Sequence, residues 1–366
     1  MKYVFVSYTY SPGFTSPESW FKRIYGYIGL LECLSSENVV ININQVDYEG
    51  SCLHNGVQHY FIRSGKNSNY FPIKLNLFVK KLKADIIVVQ GLHHPLQVIQ
   101  LKLLIGKKAK IIAQHHAEKP FTGIKKHIQR IADKCITAYL FASHYLGLEW
   151  VKNGNISSAE KIKELMEVSS NFYPVDRATA QLKTGIKGNR TFLWVGRLNE
   201  NKDPLNVIKA FLRYADQNPS ARLYMIYHTD ELLAEINDLL NHHPGKNSII
   251  TIGKVLHEDL LYWYNSADFI LSGSHYEGSG TAICEAMSCG CIPVVTDIFS
   301  FRMITDDGKC GILYEAGNER ELFDSLMQTN QMDMQKKRDK CLEYFQTNLS
   351  FEAIAQQIQA IAVSLH

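Results

Sequence analysis

No stretch of this 366-residue chain approaches the roughly 20 consecutive apolar residues that a membrane-spanning helix needs, so none is expected. Met1-Lys2-Tyr3-Val4-Phe5-Val6 reads as a first strand that breaks at Ser7, not as a secretory signal. Zinc-type cysteine pairing is missing as well. The eight cysteines are scattered, and the one close pair, Cys289-Gly290-Cys291, lacks the spacing of metal ligands, so reduced thiols in the cytoplasm are the simplest account. No Gly-x-Gly-x-x-Gly follows the first strand, which argues against a nicotinamide dehydrogenase. Low-complexity linkers and repeats are absent too, beyond a doubled alternation of strands and helices.

What is present describes an ordinary globular protein, with 46% hydrophobic and 20% charged residues. Its length suits two cores better than one. In the first half, strand-like runs at 3–8, 39–43, 86–89, 110–113 and 138–142 alternate with helical stretches that include 20–34 and 75–82. The pattern recurs in the second half at 192–195, 222–226, 249–252, 269–271 and 293–296. Such alternation predicts parallel sheets with crossover helices. The seam is expected near Phe172-Tyr173-Pro174-Val175-Asp176, giving domains 1–174 and 175–330 and polar helices over 331–366.

Charge divides unevenly along the chain. Residues 1–172 carry 21 Lys+Arg against 12 Asp+Glu, a net +9, and the remainder carries 18 against 24, a net −6. Lys102, Lys107, Lys108 and Lys110 cluster in one segment, and Lys125, Lys126 and Arg130 in another. Basic patches of this kind attract anionic partners such as a membrane surface, although a charge run is also the ordinary dress of a solvated face. Nucleic acid is not expected, because aromatic residues do not interleave with these lysines.

Two segments carry chemistry. Glu277-Gly278-Ser279-Gly280-Thr281-Ala282-Ile283-Cys284-Glu285 separates two carboxylates by small residues just before an apolar run. A helix starting near Ser279 or Thr281 would put Glu277 on the entering loop and Glu285 about one turn inside. The unencumbered amides of Ser279, Gly280 and Thr281 could then meet an anion at the positive end of the helix. Upstream, Thr191 to Val195 reads as a buried strand that ends at Gly196, with Arg197 and Lys202 in the loop beyond it and an amphipathic helix over 205–214. Cations at the carboxyl end of a parallel strand are well placed to hold a diphosphate, arginine as a planar fork and lysine as a point charge. Each segment alone could equally be a capped turn or a solvated loop.

In chain order, Gly196-Arg197-Leu198 with Lys202 and Pro204, Ile252-Gly253 with Leu260 and Tyr264, Ala267-Asp268-Phe269-Ile270-Leu271, Glu277 to Glu285 with Ala286-Met287-Ser288-Cys289-Gly290, and Pro293-Val294-Val295-Thr296 together resemble the donor half of a family 4 retaining glycosyltransferase. The resemblance spans roughly residues 190–315. It implies an α/β chain of the GT-B class, with two Rossmann-like doubly wound domains facing a central cleft and the last helices crossing back to the first domain. It also implies a nucleotide-diphosphate sugar as substrate, no cofactor and no required metal. By the same resemblance Arg197 and Lys202 neutralise the leaving diphosphate, Glu285 bonds the ribose hydroxyls, and Glu277 contacts the transferred sugar without serving as nucleophile. Gly196, Gly278, Ser279, Gly280 and Thr281 would line the donor.

Ile111 to Gln114 reads as a strand ending in His115-His116-Ala117-Glu118. Related enzymes place a histidine before a glycine in this loop, against the donor sugar, so the role falls on His116, with Ala117 in place of the glycine; His115 is the other candidate. A histidine that simply bonds backbone at a strand end is the plainer alternative. His93-His94-Pro95 reads as an acceptor-side or structural feature. The loop Thr9 to Glu18 keeps Gly13 alone where the family carries a glycine pair near the phosphates. The expected protein is therefore a cytoplasmic enzyme, in peripheral contact with the inner membrane face, that extends a surface polysaccharide or glycolipid on a glycan or lipid-linked acceptor. The alternatives are a non-catalytic nucleotide- or glycan-binding protein and a nucleotide-sugar epimerase or phosphorylase on the same scaffold.

Overall fold

A computed structural model describes residues 1–63 and 71–365. Two compact units emerge, Met1–Ser169 with Phe351–His366, and Ser170–Ser350. Of the final helices, Met334–Tyr344 groups with the second unit and Phe351–Ser364 with the first.

In the first unit the chain runs β1 (Lys2–Ser11), α1 (Pro17–Arg23), α2 (Tyr25–Ser35), β2 (Val39–Val46), β3 (Gly50–His54) and β4 (Val57–Ile62). It continues through α3 (Ile73–Lys81), β5 (Ile86–Gln90), α4 (Pro95–Ile105), β6 (Lys110–Gln114), α5 (Gly123–Asp133), β7 (Ala138–Phe141), α6 (His144–Lys152) and β8 (Ile162–Glu164). The sheet order is β3-β4-β2-β1-β5-β6-β7-β8, parallel except for the β3/β4 hairpin. Val4, Phe5 and Val6 of β1 and Val88 and Val89 of β5 are fully buried, as strands covered on both faces require. Right-handed crossovers in one direction along the sheet put α3, α4, α5 and α6 on a common face. α2 packs against the last helix of the chain instead. That packing depends on Gly29, where an added Cβ would come within 2.5 Å of the Phe351 ring.

The reading of 20–34 as one helix is corrected: α1 and α2 are separate, broken at Ile24. α1 starts earlier, because Ser16 and Ser19 form a reciprocal capping box and Pro17 occupies the first turn. The β3/β4 hairpin was not foreseen. Asn55 and Gly56 turn it with φ of +44° and +82°, the positive values that a two-residue Asn-Gly loop supplies.

The second unit runs α7 (Arg177–Thr184), β9 (Thr191–Gly196), α8 (Pro204–Gln217), β10 (Arg222–Tyr227), α9 (Leu233–Asn241), β11 (Ile249–Gly253), α10 (Leu260–Ser266) and β12 (Phe269–Ser272). Then come α11 (Thr281–Ser288), β13 (Ile292–Thr296), α12 (Phe299–Ile304), β14 (Ile312–Tyr314), α13 (Glu319–Gln328) and α14 (Met334–Tyr344); α15 (Phe351–Ser364) closes the first unit. The sheet is wholly parallel in the order β11-β10-β9-β12-β13-β14. Pro204 opens α8 with a preset φ, and Val207, Ile208, Phe211, Leu212 and Tyr214 form its buried stripe. Phe192 of β9 stacks on Phe269 of β12 and meets Phe211 edge to face, so removing the Phe211 ring would cost about 3–5 kcal/mol.

Strand order reverses between β9 and β12 in this sheet and between β1 and β5 in the other. The carboxyl ends of strands flanking such a reversal are where doubly wound sheets bind ligands.

Candidate active site

At the reversal in the second unit, β9 ends at Gly196 and β12 ends at Ser272. A side chain at Gly196 would press on the Trp194 ring, 3.1 Å away. The loops that leave the two strands are stitched together. Asn199 caps the short turn 200–202 by accepting from the Lys202 amide at 3.1 Å. The His275 amide donates to the Asn201 carbonyl at 2.8 Å, the Asn201 side-chain amide donates to the Tyr276 carbonyl at 3.0 Å, and His275 Nε2 lies 3.3 Å from Asp203 Oδ2. Gly273 lets the loops close up, since its Cβ would stand 3.1 and 3.2 Å from the carbonyl oxygens of Asp203 and Lys202.

This stitching carries Lys202 Nζ onto Glu277 Oε1 as an ion pair. Both side chains are mostly withdrawn from water, with exposures of 25% and 16%. Ser300 donates its hydroxyl to the Glu277 carbonyl and fixes the backbone there. Arg197 is exposed, and its guanidinium makes no hydrogen bond or ion pair among the described residues.

Helix α11 begins at Thr281, as its sequence suggests, behind Gly280 in the left-handed region at φ +65°. A Cβ on Gly280 would lie 2.7 Å from the Phe301 ring, so both backbone and space demand glycine. Ser279 is buried, while Gly278 and Thr281 are half-buried. The opening amides of α11 have no acceptor earlier in the helix, as at any helix start, and they carry its positive end. Glu285 lies one turn in and is buried, with Oε1 accepting from His257 Nε2 at 2.8 Å and Oε2 from the Tyr264 hydroxyl at 2.9 Å. Each oxygen keeps a lone pair beyond those bonds. Phe172 stacks on the His257 ring at 5.0 Å and holds it in place.

In the first unit the two histidines separate. His115 is buried against Phe141 and Trp150, and its Nε2 meets the Glu118 carbonyl at 2.8 Å. Burial lowers its pKa, and it serves as packing at the strand end, the plainer of the two alternatives for it. His116 stands at the end of β6 with 36% of its side chain open to water, although neighbouring protein encloses much of its ring. Its Nδ1 faces Glu167 Oε2, and its Nε2 is 2.8 Å from Gln90 Oε1. Burial of the ring would lower its pKa; the charge and hydrogen bond of Glu167, with Glu118 assisting, overcome this and raise it. Oxygen atoms at both ring nitrogens suit an imidazolium, which donates from each.

Ala117 adopts φ +70°, in the left-handed region that glycine enters most readily. Glu118 clamps the loops by accepting from the Leu92 and His116 amides, each at 2.6 Å, and from His93 Nδ1 at 2.9 Å. Burial opposes its ionisation, but these donors hold its pKa down at about 2. Neither of the neighbouring histidines His93 and His94 stands idle: His94 Nε2 lies 2.9 Å from the Thr9 hydroxyl, and burial pushes its pKa down to about 3. The Gly13 amide, at φ +88°, donates to Asp47 Oδ2 at 2.6 Å and is thus engaged within the chain.

Several of these residues escaped sequence reasoning. Asn199 could have been found from its three-residue spacing to Lys202, a capping signal. Glu167, Gln90, His257 and His275 carry no local signal, because only the fold brings them to their partners. Among the described residues no group of three or more His, Cys, Asp or Glu is arranged to hold a metal ion, and no helix is long and apolar enough to cross a membrane.

Residues 176–347 match the family described as "Glycosyl transferases group 1". Mannosylfructose-phosphate synthase of Agrobacterium fabrum is 31% identical over 135 residues, 34% of this chain and 30% of that protein. The GDP-mannose:cellobiosyl-diphosphopolyprenol alpha-mannosyltransferase of Xanthomonas campestris is 23% identical over 282 residues, 75% of this chain and 72% of its own. The chain covers 38% and 30% of the length of the first curated relatives it matches. Anabaena HepE in complex with UDP superposes with a TM-score of 0.74 at 15% identity, over 100% of both chains. That likeness shows the fold, the GT-B class with two Rossmann-like sheets.

Proposed function

We propose that the chain is a retaining glycosyltransferase that moves a sugar from a nucleotide-diphosphate sugar to a glycan or lipid-linked acceptor in surface polysaccharide biosynthesis. The observation that carries this reading is the Lys202–Glu277 pair at the strand reversal of the second unit, with Arg197 in the same loop as Lys202 and α11 opening just after Glu277. Solved neighbours of the same fold bind UDP and UDP-glucose, and one relative is named for a polyprenol-linked acceptor.

Charge grows negative on the departing diphosphate and positive at the anomeric carbon. Arg197, the ammonium of Lys202 and the α11 amides answer the first demand. On donor binding the diphosphate takes a share of Lys202, which leaves Glu277 to the hydroxyls of the transferred sugar. Glu285, prepositioned by His257 and Tyr264, accepts from the ribose hydroxyls through its remaining lone pairs. The acceptor attacks the face from which the leaving group departs, and the phosphate takes its proton. No resident metal or cofactor is needed. Reaction takes place in the cytoplasm, with the basic first unit in peripheral contact with the inner membrane face.

Thermal shift against uridine, guanosine and adenosine diphosphates and their sugars tests this reading, since a ligand bound by the native state raises the melting temperature. One responding base followed by sugar transfer is the expected result. No response to any nucleotide, or conversion of a nucleotide sugar without an acceptor, defeats it.

A further inference from the structure

The chain enters the second unit at Ser170, and residues 170–176 belong to no helix or strand. A stretch without ladder bonds of its own borrows its order from its neighbours. The neighbours here are the groups that hold Glu285. Phe172 lies nearly flat on His257, with ring centres 5.0 Å apart and planes 26° apart, and it tilts against Tyr264 at 6.1 Å. Those two side chains are the donors to the two Glu285 oxygens. Ser170 Oγ accepts from the Phe172 amide at 2.9 Å and stands 3.2 Å from Ser288 Oγ, which also lies 2.7 Å from the Glu285 carbonyl oxygen. Asn265, the residue after Tyr264, accepts from the Val175 amide at 2.7 Å and donates to the Tyr173 carbonyl at 3.0 Å.

Burial divides this cluster. The Glu285 side chain is 3% exposed, whereas that of His257 keeps 37%. A ring so open to water is not held by enclosure, so a flat partner stacked against it decides its orientation. Should His257 swing away, a buried carboxylate oxygen loses its donor at the full cost of desolvation. Phe172 is the flat partner, and it leans on the second donor, Tyr264, as well.

We propose that Phe172 is a positioning residue for the ribose of the nucleotide, acting through His257 and Tyr264 on Glu285. The inference rests on the reading of Glu285 as the group that accepts from the ribose hydroxyls. Coupling of this kind runs both ways: if the connector orients the carboxylate, then ribose hydroxyls bound to that carboxylate steady the connector. A residue that merely fills space beside the fold would alter all nucleotide binding alike and would not distinguish one sugar from another.

The test uses the full chain and the diphosphates of uridine, guanosine and adenosine, each as the ribose and the 2′,3′-dideoxyribose form. For the base that binds, the parent should prefer the ribose form by a factor on the order of 10 or more, as hydrogen bonds to a charged group imply. Phe172→Ala should lose that preference by weakening the ribose form alone, and Phe172→Trp should restore it. In the unaltered chain, hydrogen exchange over residues 170–176 should slow with the ribose form and not with the dideoxy form, a readout that needs neither a variant nor turnover. Equal weakening of both forms in Phe172→Ala, retention of the preference, or exchange that is the same with either form overturns the proposal. A parent chain that binds nucleotide without any preference defeats the reading of Glu285 and this inference with it; a parent that prefers ribose while Phe172→Ala does too defeats this inference alone.

Discussion

Lys202 and Glu277 lie 75 residues apart in the chain and form one ion pair, because the loops after β9 and β12 emerge side by side where the strand order reverses. Asn199, Asn201 and His275 tie those loops together and so hold the two charges side by side. An ammonium held in place beforehand needs little reorganisation when negative charge develops on a ligand, which is the condition under which electrostatic stabilisation is largest.

Lys202→Ala and Glu277→Gln should each lower sugar transfer by about 100- to 1000-fold, with melting temperatures within a few degrees of the parent. Steady-state transfer kinetics beside thermal unfolding check this. Full turnover in a well-folded Lys202→Ala chain would refute the role of the pair.

His116 is raised above its ordinary pKa despite burial, and Glu167 is the main group that raises it. A raised histidine adds stability that is complete below its unfolded pKa of about 6.5 and fades as the pH climbs through the higher folded value. Glu167→Gln should bring the His116 titration down and remove that fading from the stability of the first unit above pH 6.5. Ring-proton NMR of His116 against pH reads the change directly; an unmoved titration counts against the pairing.

His59 behaves in the opposite sense. Burial, with His54 nearby, depresses its pKa to about 4, and its Nε2 has no hydrogen-bond partner. The ring is neutral in the fold but takes a proton on unfolding, so stability is present above pH 6.5 and is lost as pH falls towards 4, by about 3 kcal/mol in all. Urea unfolding at pH 7 and pH 5 should show the loss, and His59→Phe, between Phe21 and Phe61, should flatten it.

Two left-handed positions should respond to opposite changes. Ala117→Gly removes the strain of a side chain at φ +70° and should stabilise by about 1 kcal/mol. Gly280→Ala adds that strain and drives a Cβ into the Phe301 ring, which should cost about 1–3 kcal/mol and disturb the start of α11. Chemical denaturation of both variants checks the signs.

Much of the fold was legible because buried parallel strands must be apolar whatever surrounds them. The runs at 3–8, 86–89, 192–195 and 293–296 all became strands, and Gly280 marked the start of α11 through the conformation that glycine alone adopts readily. The β3/β4 hairpin was also written locally, in Asn55-Gly56, although its first strand buries no residue fully.

What the amino-acid order determined by itself is therefore local: strand and helix alternation, the glycine hinges, and the candidate charges at strand ends, each set by the conformational and solvation preferences of a few neighbouring residues. Tertiary structure alone decided which of His115 and His116 faces outward, that Glu167 and Gln90 hold His116, and that His257 and Tyr264 hold Glu285. Those pairings join residues dozens of positions apart. Their energies depend on distance and burial, and neither is defined until the sheets have formed.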